Sequence, residues 1–420
     1  MAIEEIGRAL LGLCVFPAFA WICSENRSAF RVRPLLIGLA MQVVLAVLLT
    51  RFPPIVTFLG GFARAVDAVQ SSASAGATFV FGYLGGGTQP FVPAAGNPST
   101  FIFGLQVLPA VLLVSALSAL LWHWGVLRAI VRGSAWLFGR LFGVSGPVGV
   151  STSACIFLGM IEAPLLVRPL LPKLTRGEIF IIMTDGLSVI AGSSMILLGT
   201  MLAPHVADAF THLLTASLIS TPMAIVMARI IVPSDISRER EAIPLESHYR
   251  SSIDAMTHGT INAVKVAAYV VAMLIVFVGT IALIDKGLAA IPTGGAPLTL
   301  SGIFGWVFAP VAWLMGVSWS DLNIVGGLLG TKVAANEVVA YGQLLALPGG
   351  AISDKSQLIA TYALCSFGNF GSVAILIGTL AAMAPEKSDE VIQLGPKALV
   401  AAFLTTCTTG TIVGLLHSIL

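Results

Sequence analysis

In the stretch Gly159-Met160-Ile161-Glu162-Ala163-Pro164 a carboxylate stands between a glycine and a proline, inside sequence otherwise apolar enough to lie in lipid. A carboxylate at a bilayer centre costs about 2.5 kcal/mol or more, so Glu162 is expected to face protein or a water-filled cavity. Gly159 and Pro164 interrupt a helix on either side of it and free backbone polar groups. Irregular backbone at membrane depth persists only where protein buries it or where it lines a cavity. A second stretch, Gly330-Thr331-Lys332-Val333-Ala334-Ala335-Asn336-Glu337, again sets a glycine and a carboxylate in a hydrophobic segment. Paired interruptions in corresponding places of two halves point to a transporter's binding site. The chemistry these residues suit is binding and carrying a polar solute.

Two more polar clusters join the glutamates if the halves pair: Thr184 and Asp185 with Ser188, and Asn369 with Ser372. Helix ends at a break offer free N–H and C=O groups to polar atoms and ions. Carboxylates accept paired hydrogen bonds, as from vicinal hydroxyls, while amides both donate and accept. The set suits a neutral polyhydroxylated solute better than a strong anion, since no run of arginines stands ready for a phosphate. Plainer roles compete. Ser188, Ser193 and Ser194 can bond their own helix's carbonyls. Asp185 can pair with Lys332 or Arg168, as intramembrane charges commonly do. For Glu162 and Glu337 the cost of burial favours function.

The elements that must hold these residues are membrane helices. The 420 residues are 57% hydrophobic and 10% charged, with mean hydropathy +0.95. A soluble protein carries about 25% charged residues. An all-α polytopic membrane protein is therefore expected, with the lipid bilayer as its surroundings and no nucleic-acid partner. The first apolar run follows Glu4 and Glu5 with no basic start and no small-residue cleavage site, so it reads as a retained helix. Five scattered cysteines show no disulfide or zinc pattern and read as small buried hydrophobes. Six histidines (His123, His205, His212, His248, His258, His417) show no clustered spacing. No enzyme, metal or cofactor is expected.

Runs of about 20 residues, enough to span, lie near 6–23, 35–51, 101–126, 178–203, 211–232, 262–285, 357–384 and 396–418, eight in all. Residues 54–82, with Arg64 and Asp67, are mixed enough to lie along the interface, and 85–99 read as a loop. Residues 127–143 alternate Arg128, Arg132 and Arg140 with Trp136, Leu137 and Phe142, an interfacial amphipathic pattern. Residues 234–258 are a charged, solvated loop, and 299–316 come close to spanning length. Segments 146–171 and 322–346 predict re-entrant hairpins, each with two apolar legs of about ten residues around a polar break, since such a leg crosses only half a bilayer core. A kinked spanning helix is the alternative. With eight spans and two hairpins opening to opposite sides, only Arg8, Arg51, Arg64, Lys286, Lys332 and Lys355 of the 22 basic residues fall outside. Counting either hairpin as a crossing weakens that asymmetry. Both termini then lie outside.

An internal echo supports a repeat. Ala191-Gly-Ser-Ser-Met-Ile-Leu-Leu-Gly-Thr200 follows the first hairpin, and Gly371-Ser-Val-Ala-Ile-Leu-Ile-Gly-Thr379 follows the second. Hairpins entering from opposite sides make the copies inverted, which builds a midplane site at the repeat interface.

At this point the residues resemble the concentrative nucleoside transporter family, in a bacterial member. The likeness runs through most of the chain: Asn26-Arg27, Phe103-Gly-Leu-Gln-Val-Leu-Pro109, Gly143-Val-Ser-Gly146, Glu162-Ala-Pro-Leu-Leu-Val-Arg-Pro169, Gly330-Thr-Lys332, Asn336-Glu337 with Ala340-Tyr341, and Ile359-Ala-Thr-Tyr-Ala-Leu-Cys365 leading to Phe367, Asn369 and Ser372. The resemblance implies a homotrimer of eight-helix protomers with interfacial helices and two hairpins, working as an elevator. It implies that Glu337, Asn369 and Ser372 hold a ribose, with Phe367 beside the sugar or base and Asn336 in the substrate site. It divides the chain into a mainly scaffold part, 1–142, a first transport repeat, 143–258, a scaffold segment, 259–320, and a second transport repeat, 321–420. A bacterial inner membrane with periplasmic termini is the expected location.

Two departures stand out. A glutamine and a Thr or Ser precede the first hairpin's glutamate in well-known members and read the base; here Met160 and Ile161 stand there, and neither makes base-edge hydrogen bonds. A nucleoside is the expected substrate, and another small polar solute the alternative. Sodium-coupled relatives use an asparagine on the first hairpin and a hydroxyl residue on the next helix, where this chain has Cys155 and Val189. Hard cations prefer oxygen. The expected coupling ion is therefore H+ and not Na+, because a partly desolvated carboxylate can titrate near neutrality. Glu162, Glu337 and Asp185 are the candidate carriers, and Asp185 stands out because the resemblance assigns no acid there.

Overall fold

Proline, glycine and extended caps decide where the helices of this chain stop. The computed structural model describes residues 2–91, 102–203, 206, 208–233, 245, 247, 249–292 and 297–419. Three helices open it: α1 (Ala2–Ile22), α2 (Val32–Arg51) and α3 (Pro53–Phe81). Pro53 and Pro54 start α3, where a missing N–H costs nothing. The one-turn α4 (Phe103–Gln106), α5 (Leu108–His123) and α6 (Val126–Phe142) follow. Left-handed Gly125 and Gly143 turn the chain at either end of α6.

The first repeat comprises α7 (Gly146–Leu158), α8 (Glu162–Leu165), α9 (Arg176–Ser188), α10 (Gly192–Leu202) and α11 (Ala209–Ile231). Two helices, α12 (Ser252–Ala289) and α13 (Leu300–Leu314), separate it from the second: α14 (Leu322–Ala334), α15 (Glu337–Leu345), α16 (Asp354–Leu364), α17 (Phe370–Met383) and α18 (Ser388–Ile419). Each repeat is a hairpin, a broken helix and a long helix. The two Gly-Thr pairs of the echo fall near the ends of α10 and α17, in matching places.

Among the described residues, seven stretches are long and apolar enough to cross a membrane. They agree with seven of the eight expected spans. The eighth, 357–384, is two helices, α16 and α17, parted by 365–369, and 178–203 is likewise parted into α9 and α10 at 189–191. Such breaks escape a hydropathy average because the intervening residues are themselves mostly apolar. The hairpins also differ from each other. The second has legs of 13 and 9 residues. The first has a regular leg of 13, then only one turn of α8 and a 3-10 stretch, Arg168–Lys173. Pro164, Pro169 and Pro172 withhold the donors a regular second leg needs.

Residues 54–81 of the expected interfacial segment lie in a single helix, α3, which Gly82 ends at φ +60°. Helix α6 buries Leu127, Val131, Phe138 and Phe142, whereas Trp136 and Leu137, expected on its apolar face with Phe142, are exposed with Leu141. At about 1.5 Å per residue, α13 reaches only about 22 Å, short of a hydrocarbon core of about 30 Å. It packs along α14 through small residues: a Cβ at Gly326 would lie 2.6 Å from the Gly305 carbonyl oxygen. The expected loops survive only in part. Residues 92–99 of the 85–99 loop, 234–244 with Arg238 and Arg240, and both His205 and His248 lie outside the described residues.

Helices α9, α11 and α18 form the centre. Thr405, Thr408, Thr409 and Thr411 of α18 are fully buried and each donates to a carbonyl one turn back, at 2.7 to 3.0 Å. Thr409 also receives the Gln42 amide of α2 at 3.1 Å and lies 3.0 Å from Ser220 Oγ of α11. That polar bridge fixes α2 to the centre. Helices α5 and α12 meet closely at Gly259, where a Cβ would lie 2.6 Å from the Ser115 carbonyl oxygen.

Candidate functional site

Asn336, in extended conformation, caps α15: its side-chain oxygen accepts from the Val339 N–H at 2.9 Å. The cap makes Glu337 the first residue of α15, where the free N–H groups and the positive end of the helix dipole lie. Glu337 is 6% exposed. Its Oε2 accepts from Asn369 Nδ2 at 3.1 Å. The other end of the same amide is also engaged, since Asn369 Oδ1 accepts from the Ser372 N–H at 2.7 Å and caps α17. One side chain thus joins the N-terminus of the hairpin's second leg to the N-terminus of the half-helix facing it. Ser372 is buried and Phe367 half-buried beside this pair. Glu337, Asn369 and Ser372 are joined by these bonds, Phe367 stands two residues before Asn369, whose N–H bonds the Phe367 carbonyl at 2.8 Å, and Asn336 caps α15 through its side-chain oxygen.

The two breaks touch. The Phe367 N–H donates to the Val189 carbonyl at 3.3 Å, so residues from opposite repeats cross at the centre. The tip of the first hairpin rests on the same crossing: a Cβ at Gly159 would lie 2.8 Å from Ala191 Cβ, and one at Gly186 3.1 Å from Met160 Cβ. Gly159, at φ +93°, turns the chain after its N–H has bonded the Cys155 carbonyl at 2.8 Å. Met160 is buried, Ile161 exposed, and Glu162 half-buried as the first residue of α8. A continuous run of contacts therefore links the hairpin of Glu162 to that of Glu337 through the breaks.

Asp185 is fully buried on α9. The Thr221 hydroxyl faces it but donates to the Ser217 carbonyl at 3.4 Å. Both Asp185 oxygens are left without a hydrogen-bond partner among the described residues. The structural ion pair weighed for it is not formed: Lys332 points its ammonium at the Ala363 carbonyl (2.9 Å) and Thr406 Oγ1 (3.1 Å), and Asp185 makes no ion pair with Arg168 either. Ser188 takes the plainer role, bonding the Thr184 carbonyl at 2.7 Å. Cys155, close enough to feel the charge of Asp185, and Val189 are both buried. They present a thiol and an isopropyl group, neither of which offers a hard cation an oxygen. Among the described residues no three His, Cys, Asp or Glu groups gather as metal ligands.

Sequence reasoning did not find Tyr249. Its phenol is pushed up by burial and then by the carboxylates of Glu162 and Asp254, which places it near the first hairpin's acid. Nothing local marks it, because it lies within the stretch read as a charged loop and reaches Glu162 only through the fold.

Comparison with known proteins covers nearly the whole chain. Residues 11–84 match the family described as "Na+ dependent nucleoside transporter N-terminus", 104–205 "Nucleoside recognition", and 212–414 "Na+ dependent nucleoside transporter C-terminus". The putative nucleoside permease NupX of Escherichia coli is 34% identical over 98% of each chain. The nucleoside permease NupC of Helicobacter pylori is 31% identical over 97% of each. A solved structure of CNTnw in an inward-facing substrate-bound state is 33% identical, covers 97% of this chain and 98% of its own, and superposes with a TM-score of 0.89.

Proposed function

The chain belongs to the concentrative nucleoside transporter family, and from that premise we propose that it imports nucleosides together with protons by alternating access. It is a multi-pass membrane transporter and not an enzyme. The observation that carries the reading is the Glu337–Asn369 bridge at 3.1 Å. A carboxylate and an amide at two facing helix N-termini offer paired acceptors and a donor to vicinal hydroxyls, the distinguishing group of a ribose. Ser372 and Phe367 add a hydroxyl and an aromatic face beside them.

Proton coupling is supported by two findings. The positions to which the resemblance assigns sodium ligands carry Cys155 and Val189, which lack oxygen side chains. One turn of α9 away, Asp185 offers a buried carboxyl group with no ion pair among the described residues and only the Thr221 hydroxyl facing it, able to take up and release a proton as the first hairpin moves. The resemblance further supports a homotrimer working as an elevator, and the sorting of basic residues supports a bacterial inner membrane with periplasmic termini. Met160 and Ile161, apolar where a base would be read, favour one second reading, a symporter for another small polar solute.

The test is uptake of radiolabelled uridine and adenosine into proteoliposomes under a sodium or a proton gradient imposed separately. Accumulation driven by protons alone is expected. Accumulation driven by sodium refutes the coupling, and failure to take up either nucleoside refutes the substrate in favour of the second reading.

A further inference from the structure

Lys332 is the most deeply buried cation described in the protein, with no side-chain surface exposed. It sits on the last turn of α14, five residues before Glu337 across the tip of the second hairpin. Burying an ammonium is costly unless its donors and its charge are both compensated. Two of its three donors are compensated, by the Ala363 carbonyl at 2.9 Å and by Thr406 Oγ1 at 3.1 Å. Ala363 lies in the last turn of α16, whose carbonyls have no partner within the helix and form the negative end of its dipole. The Thr406 hydroxyl in turn reaches the Phe403 carbonyl at 3.1 Å. One side chain therefore ties three elements, α14, α16 and α18, that are remote in sequence.

The charge is not taken up by an ion pair. The groups that feel it are Glu337 on its own hairpin and the thiols of Cys365 and Cys407. Glu337, five residues on across the hairpin tip, is the carboxylate in reach of its field, and it also accepts the Asn369 amide. A methionine would fill the same space without the cost of a buried charge. The same register that aligns the two Gly-Thr pairs sets Thr184, next to Asp185, against Ala363. At this matched level one repeat holds an unpaired carboxyl and the other receives an ammonium.

We propose that Lys332 is a positioning residue for substrate recognition. By clamping the first leg of the second hairpin to the end of α16 and to α18, it fixes the place and the charge balance of Glu337 opposite Asn369. Motion of the second hairpin then falls to α15, with its hinge at Ala335 and Asn336, rather than to the hairpin as a whole. This inference rests on the reading of Glu337 as a ribose ligand.

The experiment is a double-mutant cycle on the purified full-length transporter in proteoliposomes, reading KM and maximal rate for uridine. Lys332→Met should raise KM about tenfold, the size of one lost hydrogen bond from a charged group, with the maximal rate largely kept. Glu337→Gln should raise KM as well, and the double variant should be no worse than Glu337→Gln alone. Effects that multiply in the double variant, or a lowered rate at unchanged KM, overturn the proposal and leave Lys332 as packing. Thr406→Val serves where Lys332→Met does not fold. It removes one acceptor only, and the expected KM rise of about threefold must vanish in the Glu337→Gln background. An unchanged KM in Glu337→Gln alone refutes the ribose reading itself, which separates that failure from failure of the Lys332 clamp.

Discussion

Asn369 does two jobs with one side chain, and a single substitution can separate them. Its Oδ1 caps α17 by accepting the Ser372 N–H at 2.7 Å, and its Nδ2 holds Glu337 at 3.1 Å. Asn369→Ser keeps the cap, because serine serves an N-cap about as well as asparagine. It removes the amide, and a serine hydroxyl is too short to take over its reach to Glu337. A hydrogen bond to a charged group contributes roughly 1.5–3 kcal/mol, and each tenfold in affinity is about 1.4 kcal/mol. The KM for uridine should therefore rise roughly 10- to 150-fold, and the melting temperature in detergent should fall by no more than the loss of that one bond allows. Asn369→Ala loses the cap as well and should cost about 1 kcal/mol more in stability, visible as a lowered melting temperature. Initial-rate uptake in proteoliposomes together with a melting curve measures both quantities on one preparation. A wild-type KM in Asn369→Ser would refute the reasoning and reduce Asn369 to a cap.

Three further outcomes are expected. Asp185→Asn should abolish accumulation driven by an imposed proton gradient while nucleoside exchange at equal pH persists; proton-driven uptake that survives the change sinks Asp185 as the carrier. Glu25, after α1, accepts from Arg176 Nη2 at 2.8 Å and Lys397 Nζ at 2.7 Å, and the Arg176 bond foremost holds its carboxyl near 2 against an ordinary 4.5. A depressed folded value means stability present above 4.5 and lost as pH falls from there toward 2. Glu25→Gln should thus lower the melting temperature at neutral pH, by about 1 kcal/mol or less for a partly exposed pair, and melting curves at about pH 3 should show the gap closing. Gly159→Ala forces a side chain onto φ +93° and sets its Cβ 2.8 Å from Ala191 Cβ. A loss of at least about 1–2 kcal/mol, read as a lower melting temperature and slower uptake, is expected, and wild-type behaviour would contradict the tight seat of the first hairpin.

Much of the site was legible in the chain. Glu162 and Glu337 stood out because an intramembrane carboxylate is too costly to leave unexplained, and Gly159, Pro164 and Gly330 marked the interruptions beside them. The hairpins could be inferred because half-length legs and the sorting of basic residues are properties of local composition. Harder to see were the breaks at 189–191 and 365–369, since Val189, Ile190 and Phe367 keep the local hydropathy high. The irregular second leg of the first hairpin was also missed, although its three prolines were in view.

Partnership was decided elsewhere. From sequence alone Asp185 had a structural ion pair open to it, yet the fold turns Lys332 toward the α16 carbonyl and leaves both Asp185 oxygens unpartnered among the described residues. Asn336, expected to touch substrate, caps α15, while Asn369 both caps and reaches Glu337. Tyr249, just before α12, comes near Glu162 only through the fold. The physical reason is one of range. The penalty for charge in lipid and the helix-breaking of proline act on a residue and its immediate neighbours, so they are written along the chain. A hydrogen bond is made or lost within a fraction of an ångström, and whether a donor on α14 meets an acceptor on α16 or α18 is set by how whole helices pack.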